Sequence, residues 1–469
     1  GVLLAAEDVE LMSTALMYFA KALQDGADYA VCNAVFGFGG ATALYQSQPL
    51  QAQNRCAVVS RTLLERCRAA AHDPENVPEL LALAAQLCTK PTLIPQALLH
   101  YERGICAEDA FSAHGKRAFI MSHVLDMTGA PIVLVSAVPV LRSMGYEVLV
   151  LGPSDGGSLH LFLDAGASVI TRSSCRNVSD AWGMALCADF VIANTVVMAR
   201  AVRALSGTAV PVLWWLHDAF AGYPHIAHQI PTQLGENVRV YSVGSHAANA
   251  MRAVRPEFEI RPLIYGLPDY AAENFVRTDL GYNRGRPLFA TVGSFERRKG
   301  HDISCKAIRL LPPEVREKAS FLFVGQAADK EMMDSVRALT ADYPENVYYC
   351  KRLTRDEIKS LMEQCTGLVC ASRDDPMPTF VTEGLIFGKP SIVSEHTGTA
   401  GLISEGRNGF VYHNDDPQQL AVLLEHAIEH PEELASMRTE CRKMYEQYYS
   451  KEAFEQTLRA AVEDLTAKK

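Results

Sequence analysis

The sequence lacks the patterns that mark zinc-bound, secreted and membrane-spanning chains. Its twelve cysteines are scattered singly, with no Cys-x-x-Cys pair and no Cys/His cluster. Their spacing argues against structural zinc and against a disulfide scaffold, and favours a reducing cytoplasm. The most apolar stretch, residues 130–152, is broken by Arg142 and Glu147, so we expect no segment that spans a bilayer. No signal-peptide pattern is visible, and a cytoplasmic protein is expected.

An excess of basic residues is also missing. The 44 Lys and Arg residues are outnumbered by 54 Asp and Glu residues, which gives a net charge of −10. This balance argues against nonspecific nucleic-acid binding, so any anion site must be a local basic pocket. A chain of 469 residues is long enough for two or three domains with ample cores.

Two long stretches alternate short apolar strands with helices, which is typical of parallel sheets covered by helices on both faces. The first stretch lies within 116–286 and the second within 287–445. Strands are predicted at 118–123, 147–151, 168–171, 190–194, 212–216 and 239–242, then at 288–292, 320–324, 347–349, 368–371 and 391–394. The polar segment that ends at Arg286 is predicted to link the two domains.

The first 115 residues have a different character. Apolar residues follow helical spacing from Glu10 to Phe19 and from Val77 to Leu87, which predicts a mostly helical region. We interpret residues 1–115 as an accessory region for assembly or acceptor docking.

An acidic residue stands out on the helix predicted at 379–387. Pro376 and Pro378 preset its first turn. Glu383 then falls on one row with Phe380 and Phe387. A carboxylate on an apolar row must find a partner or face a cleft. The alternative is a glutamate at the edge of the stripe that reaches solvent.

A basic loop follows the strand at 288–292. It reads Gly293-Ser-Phe-Glu-Arg-Arg-Lys-Gly300. Two glycines allow close approach and three cations supply charge, which suits a diphosphate. The alternative is a solvated basic turn.

Two further residues lie at strand ends. Gly129 stands where a strand passes into a helix, so it either admits a ligand to a helix N-terminus or forms a plain turn. His217 lies just past the strand at 212–216, where open α/β sheets carry their ligand crevice. The alternative for His217 is a structural histidine.

These residues together suggest a family. Asp375, seven intervening residues and Glu383, followed by Gly384, Gly388 and Pro390, resemble the E-x7-E signature of family 4 retaining glycosyltransferases with the GT-B fold. The resemblance implies two Rossmann-like domains facing across a cleft, plus the N-terminal helical extension. In the family the second acid binds the donor ribose and the first lies near the donor sugar, which implies those roles for Glu383 and Asp375. The chain departs from the signature in having Asp as the first acid, followed by Pro-Met-Pro.

The resemblance extends to the other candidate residues. The basic loop resembles the family's phosphate loop, Gly-Arg-x-x-x-x-Lys-Gly. Lys299 matches its lysine, whereas Ser294 stands where the usual arginine does, so Arg297 or Arg298 would supply the second cation, and we favour Arg298. By the same resemblance Gly129 would approach the donor phosphate, His217 the sugar and Arg352 the base. The N-terminus of the helix at Thr379 and Phe380 would add positive potential.

The resemblance implies a retaining hexosyltransferase that moves a sugar from a nucleotide-sugar donor, with UDP as the expected nucleotide, to a hydroxyl of a glycan, lipid or protein acceptor. We expect this in glycan or glycoconjugate biosynthesis, without a metal cofactor, since no Asp-x-Asp follows a strand. The predicted domains are 1–115, 116–286, 287–445, and a C-terminal helix at 446–469 that crosses back to the N-terminal domain. The first region is expected to contact a membrane face or a second copy. The alternative function is an inactive GT-B partner subunit.

Overall fold

The computed structural model describes residues 2–5, 9–11, 15–38, 41–45, 56–70, 77–101, 115–153, 156–171 and 184–467. The chain divides into two compact units. The first contains Gly1–Trp214, Gln229–Arg239 and Ala461–Lys469, and the second contains Trp215–His228 and Val240–Ala460. No helix within the described ranges is both long and apolar enough to cross a bilayer.

The N-terminal region combines helices with strands. Its elements are β1 (Val2–Ala5), β2 (Val9–Leu11), α1 (Ala15–Gln24), β3 (Tyr29–Phe38), β4 (Ala41–Tyr45), β5 (Cys56–Val59), α2 (Arg61–Ala70), α3 (Val77–Leu87) and β6 (Pro91–Tyr101). The helix predicted at 77–87 is confirmed. The helix predicted at 10–19 begins later, at Ala15, and residues 12–14 of that prediction lie outside the described residues.

The strands of this region were not expected from a mostly helical pattern. β3 pairs antiparallel with β4 and β5, and parallel with β6. Every residue of β5 is buried, and Leu63, Cys67 and Leu81 from the helices pack in the same core cluster. The four residues Cys56–Val59 are too few to show a strand period beside the longer helical one. The longer strands β3 and β6 pair with each other along most of their length, so tertiary pairing contributes to their strand conformation.

A parallel sheet follows. Its elements are β7 (Lys116–Met121), α4 (Gly129–Ser143), β8 (Tyr146–Gly152), α5 (Leu159–Asp164), β9 (Ser168–Thr171), β10 (Phe190–Asn194), α6 (Ala199–Leu205), β11 (Val212–Leu216), β12 (Val238–Ser242), α7 (Ser245–Arg252) and β13 (Ile260–Pro262). The strand order is β9-β8-β7-β10-β11-β12-β13, and β4 pairs antiparallel with β9. β10 and β11 are buried along their whole length, which explains why continuous apolar runs identified them in the sequence.

The second unit has its own six-stranded parallel sheet. Its elements are β14 (Leu288–Val292), α8 (His301–Leu310), α9 (Pro313–Arg316), β15 (Ser320–Val324), α10 (Lys330–Asp342), β16 (Val347–Cys350), α11 (Arg355–Gln364), β17 (Gly367–Cys370), α12 (Thr379–Ile386), β18 (Ser391–Ser394), β19 (Gly409–Tyr412), α13 (Pro417–Glu429), α14 (Pro431–Ser436), α15 (Arg438–Met444) and α16 (Lys451–Thr466). The order is β16-β15-β14-β17-β18-β19. The alternating pattern predicted for this part is confirmed, and β19 adds a short strand.

The segment predicted as an interdomain linker is bound along α11. The Lys359 ammonium lies 2.8 Å from a Glu273 carboxylate oxygen, and the Arg277 guanidinium lies 2.9 Å from Glu363. The backbone N–H of Thr278 donates to Ser360. The second compact unit therefore begins before the predicted boundary at 286. At the other end of the chain, α16 starts in the second unit and its residues from Ala461 onward belong to the first.

Two glycines with the same φ angle test how closely the loops after β14 and β17 approach each other. Gly300 and Gly406 both have φ of 68°, in the left-handed region. A Cβ on Gly300 would lie 1.8 Å from the Ala371 carbonyl oxygen, whereas a Cβ on Gly406 meets nothing within 4 Å. Both Gly→Ala variants should lose about 1–2 kcal/mol from the backbone angle, and Gly300→Ala should lose clearly more because of the clash.

Thermal unfolding of the two variants measures the difference. We expect the melting temperature of Gly300→Ala to fall several degrees below that of Gly406→Ala. Equal melting temperatures would contradict the close approach of the loop after β14 to the loop after β17.

Candidate functional site

The order of the second sheet marks one edge as a ligand site. β14 lies between β15 and β17, so successive strands depart from it in opposite directions. In open parallel sheets, ligands bind beyond the carboxyl ends of the strands at such a switch point. The loops that leave β14 and β17 are the two that carry the predicted basic and acidic residues.

The loop after β14 is a tight turn into α8. Arg297–Lys299 form a single 3-10 turn, and Gly300, in a left-handed backbone conformation, is the N-cap residue of α8. The turn directs Lys299 toward the neighbouring loop, where its ammonium lies 2.6 Å from Asp375. Both side chains are largely buried, at 17% and 5% exposure. Two of the predicted site residues are therefore in direct contact.

The other candidates of the basic loop converge on a residue that the sequence analysis missed. Arg298 donates from Nε to Glu296 at 2.9 Å, and the Ser294 hydroxyl donates to the other oxygen of the same carboxylate. Glu296 thus holds both Arg298, the favoured second cation, and Ser294. Surface ion pairs contribute little stability. An incoming anion can therefore readily replace Glu296 as the partner of Arg298.

A buried ion-pair network ties the two loops together. Arg373 forms a two-pronged pair with Asp302, at 2.8 and 2.9 Å, and its backbone N–H donates to the Arg298 carbonyl. Burial alone would raise the pKa of Asp302, but the hydrogen bonds from Arg373 bring it below its ordinary value. Asp302 therefore stays charged, and the network fixes the separation of the loops.

Asp374 has an anchoring position that the sequence did not reveal. Its carboxylate accepts from the backbone N–H of Phe220 at 3.1 Å and of Ala221 at 2.8 Å, and lies 2.7 Å from Nε2 of His246. Burial would raise the pKa of Asp374, but these hydrogen bonds lower it overall. Asp374 thereby fastens the loop that follows β11, which also carries His217.

His217 itself follows two buried tryptophans. The Trp215 indole donates to the Leu263 carbonyl at 2.9 Å and its ring stacks on Phe454. The His217 ring packs against Trp215 with centroids 4.6 Å apart. A buried, hydrogen-bonded tryptophan is a rigid support, so the strand end sets the direction of His217.

The helix α12 presents its N-terminus at the same edge. It begins at Thr379, after Pro378, and has no side-chain cap. The first N–H groups of a helix have no intrahelical acceptor and carry a partial positive charge. Thr379 is exposed and Phe380 is buried. The N-terminus is therefore open to an anion, while the rest of the helix is anchored in the core.

Glu383 lies one turn further along α12 and is buried, at 8% exposure. Its Oε1 accepts a hydrogen bond from Arg355 at 2.6 Å, and the same guanidinium lies 4.1 Å from the centre of the Tyr270 ring. Glu383 is therefore a buried, paired carboxylate and not an edge residue that reaches solvent. Arg355 was missed because nothing in the sequence connects residues 355 and 383.

The remaining predicted residues are more loosely placed. Arg352 follows β16 with an exposed side chain. Gly129 is the first residue of α4, in the first unit. Across the described ranges, no three His, Cys, Asp or Glu side chains are grouped so that they could hold a metal ion. The functional roles assigned to all these residues stay predictions.

Two family models match successive parts of the chain. Residues 114–254 match the model of glycosyl-transferase family 4, and residues 273–444 match that of glycosyl transferases group 1. The fold is shared with HepE from Anabaena, solved in complex with UDP, at 18% identity and a TM-score of 0.60, over 74% of this chain and 100% of that one. It is also shared with sucrose-phosphate synthase from Thermosynechococcus elongatus, at 15% identity and a TM-score of 0.59, over 76% and 100%.

The curated relatives match a smaller share of the chain. An uncharacterized glycosyltransferase of Methanocaldococcus jannaschii is 25% identical over 194 residues, 41% of this chain and 53% of the relative. Spore coat protein SA of Bacillus subtilis is 26% identical over 160 residues, 32% and 41%. The chain thus spans about half the length of the curated relatives it matches.

Two Rossmann-like domains and these structural neighbours define the GT-B class of fold, as predicted. Within that class, the chain belongs to the family 4 type of glycosyltransferases.

The Asp374 anchor gives a pH-dependent prediction. In Asp374→Asn the amide nitrogen cannot accept from the Ala221 N–H, so the variant should melt below the wild type at pH 7. Because the pKa of Asp374 is lowered by folding, its contribution is complete above the ordinary value of 3.8 and is lost as the pH falls through the folded-state pKa.

The melting temperatures of wild type and Asp374→Asn, measured from pH 7 downward, should therefore converge as the pH falls through the folded-state pKa of Asp374. Asp415→Asn is the control, since Asp415 is a more exposed partner of Arg373 and should show a smaller loss. A gap between wild type and Asp374→Asn that stays constant down to pH 3 would contradict the anchor.

Proposed function

We propose that this chain transfers a sugar from a nucleotide-sugar donor to an acceptor hydroxyl. The observation that carries the proposal is the pairing of Lys299 with Asp375 at the switch point of the second sheet, close in sequence to the open N-terminus of α12. This arrangement offers positive charge for a diphosphate and a carboxylate for sugar hydroxyls.

The chemistry demands such charge. Breaking the bond between the anomeric carbon and the phosphate oxygen leaves about two negative charges on the departing nucleoside diphosphate. In our proposal Lys299, Arg298 and the N–H groups of Thr379 and Phe380 bind that group, and no metal is needed. Ser294 contributes a hydroxyl at the same loop.

The acceptor oxygen would bond to the anomeric carbon as the phosphate oxygen leaves, and its proton would pass to that leaving oxygen. This front-face route retains the anomeric configuration. Asp375 would orient the sugar hydroxyls, His217 would lie beside the sugar, Arg352 beside the base, and Glu383 would bind the ribose. For Gly129, at the start of α4, the role implied by the resemblance is close approach to a phosphate.

The finer assignments rest on the relatives. HepE from Anabaena is solved with UDP and with UDP-glucose, which favours a UDP-linked hexose as donor here. We further propose a glycan, lipid or protein acceptor in glycoconjugate biosynthesis, a cytoplasmic location that includes the inner membrane face, and acceptor docking or self-association through the N-terminal region.

Thermal unfolding with UDP, GDP and ADP tests the donor site, because a ligand that binds the native state raises the melting temperature. UDP should give the largest shift. Lys299→Met should weaken UDP binding about 10- to 100-fold, since it removes a charge-assisted contact. Lys443→Met removes an exposed ion pair with Glu440 and should bind UDP normally.

Sugar transfer from labelled UDP-sugars tests the reaction. Glu383→Ala should abolish it, and the product anomer should match the donor by NMR. Activity should be unaffected by EDTA. A chain that binds UDP but shows no transfer with any acceptor would instead favour the inactive-partner alternative, whereas loss of activity with EDTA would contradict the metal-free mechanism.

A further inference from the structure

Glu383 leaves one of its two oxygens unused. Arg355 donates to Oε1, and among the described residues nothing donates to Oε2. The flanking residues Phe380–Ile386 are all buried. A carboxylate accepts about four hydrogen bonds, so this side chain keeps acceptor capacity that a ligand with paired hydroxyl donors can use.

A buried carboxylate needs a partner of opposite charge, because burying an unpaired charge is strongly unfavourable. Arg355 is the cation in contact with Glu383, at 2.6 Å.

Arg355 also packs against the ring of Tyr270. Its guanidinium lies 4.1 Å from the centre of the Tyr270 ring, and the Lys359 ammonium lies 5.6 Å from the same ring. Burial raises the pKa of Tyr270, so its hydroxyl stays neutral. Lys359 is fixed by Glu273. The linker along α11 therefore sets where Arg355 can point.

Both acids of the signature form ion pairs. Asp375 is paired with Lys299 from the loop after β14, and Glu383 is paired with Arg355 from the start of α11. Each acid thus has its own cation from a separate element.

We propose that Arg355, supported by Tyr270, is a positioning residue that holds the Glu383 carboxylate in place and turns its second oxygen toward the vicinal hydroxyls of a ribose. This inference rests on the proposed function, in which Glu383 binds the donor ribose. Its consequence is that the site accepts ribonucleotides in preference to nucleotides without those hydroxyls, and that the preference depends on Arg355.

The test compares UDP with 2′,3′-dideoxy-UDP by calorimetric titration. Wild type should bind UDP at least about tenfold more tightly. In Arg355→Met the affinity for UDP should fall to near that for the dideoxy compound, whose own affinity should change little. Arg355→Lys, which retains a cation, should recover part of the preference.

Arg277, in the segment that runs along α11, offers a control that pairs with the same helix. Its guanidinium lies 4.7 Å from the centre of the Phe275 ring and pairs with Glu363, as Arg355 does with Tyr270 and Glu383. Arg277→Met therefore removes a similar but more exposed stacked ion pair and should keep the full preference for UDP. Tyr270→Leu, which leaves the ion pair, should show an intermediate loss and serves if Arg355→Met does not fold.

The outcomes separate the two claims. If wild type binds both ligands equally, the proposed ribose role of Glu383 fails and the inference with it. If wild type prefers UDP and folded Arg355→Met retains the preference, only the inference is overturned. An equal loss of both ligands in Arg355→Met would also overturn it, because that pattern indicates a general structural effect.

Discussion

A carboxylate that leaves water must be paired with a cation, and this constraint organises the edge of the second sheet. Asp302, Asp375 and Glu383 are all largely buried, and each is paired with a basic side chain from a different element. Removing one partner of such a pair is costly because the other charge is left unpaired. The pairs therefore fix the positions of loops that carry no regular hydrogen-bonding pattern.

The pairs also explain why the site is built on two loops and a helix end. The sheet order brings the loops after β14 and β17 together, and glycine at position 300 permits their close approach. Arg373 then links them through Asp302 and the Arg298 carbonyl. With the loops fixed, the N-terminus of α12 and the Lys299 ammonium supply positive potential at the edge where a diphosphate is proposed to bind.

The local sequence pattern was sufficient to predict the bounds of strands that are buried along their whole length. The strands at 190–194 and 212–216 have the predicted bounds, because nearly continuous apolar runs are typical of strands buried on both faces. The family motif likewise singled out Lys299, Asp375 and Glu383, and the structure has each of them in an ion pair, whereas their functional roles stay predictions. The partners at a distance could not be found this way: Asp374 meets His246, 128 residues away, and Glu383 meets Arg355 from another helix. Contacts of that kind depend on the tertiary fold.

The most direct measurement is a crystal structure of the chain with UDP. We expect the diphosphate against Lys299 and the N-terminus of α12, with the ribose hydroxyls on Glu383 beside Arg355. Density for UDP at any other place, with Lys299 and Glu383 free of it, would contradict the proposed donor site.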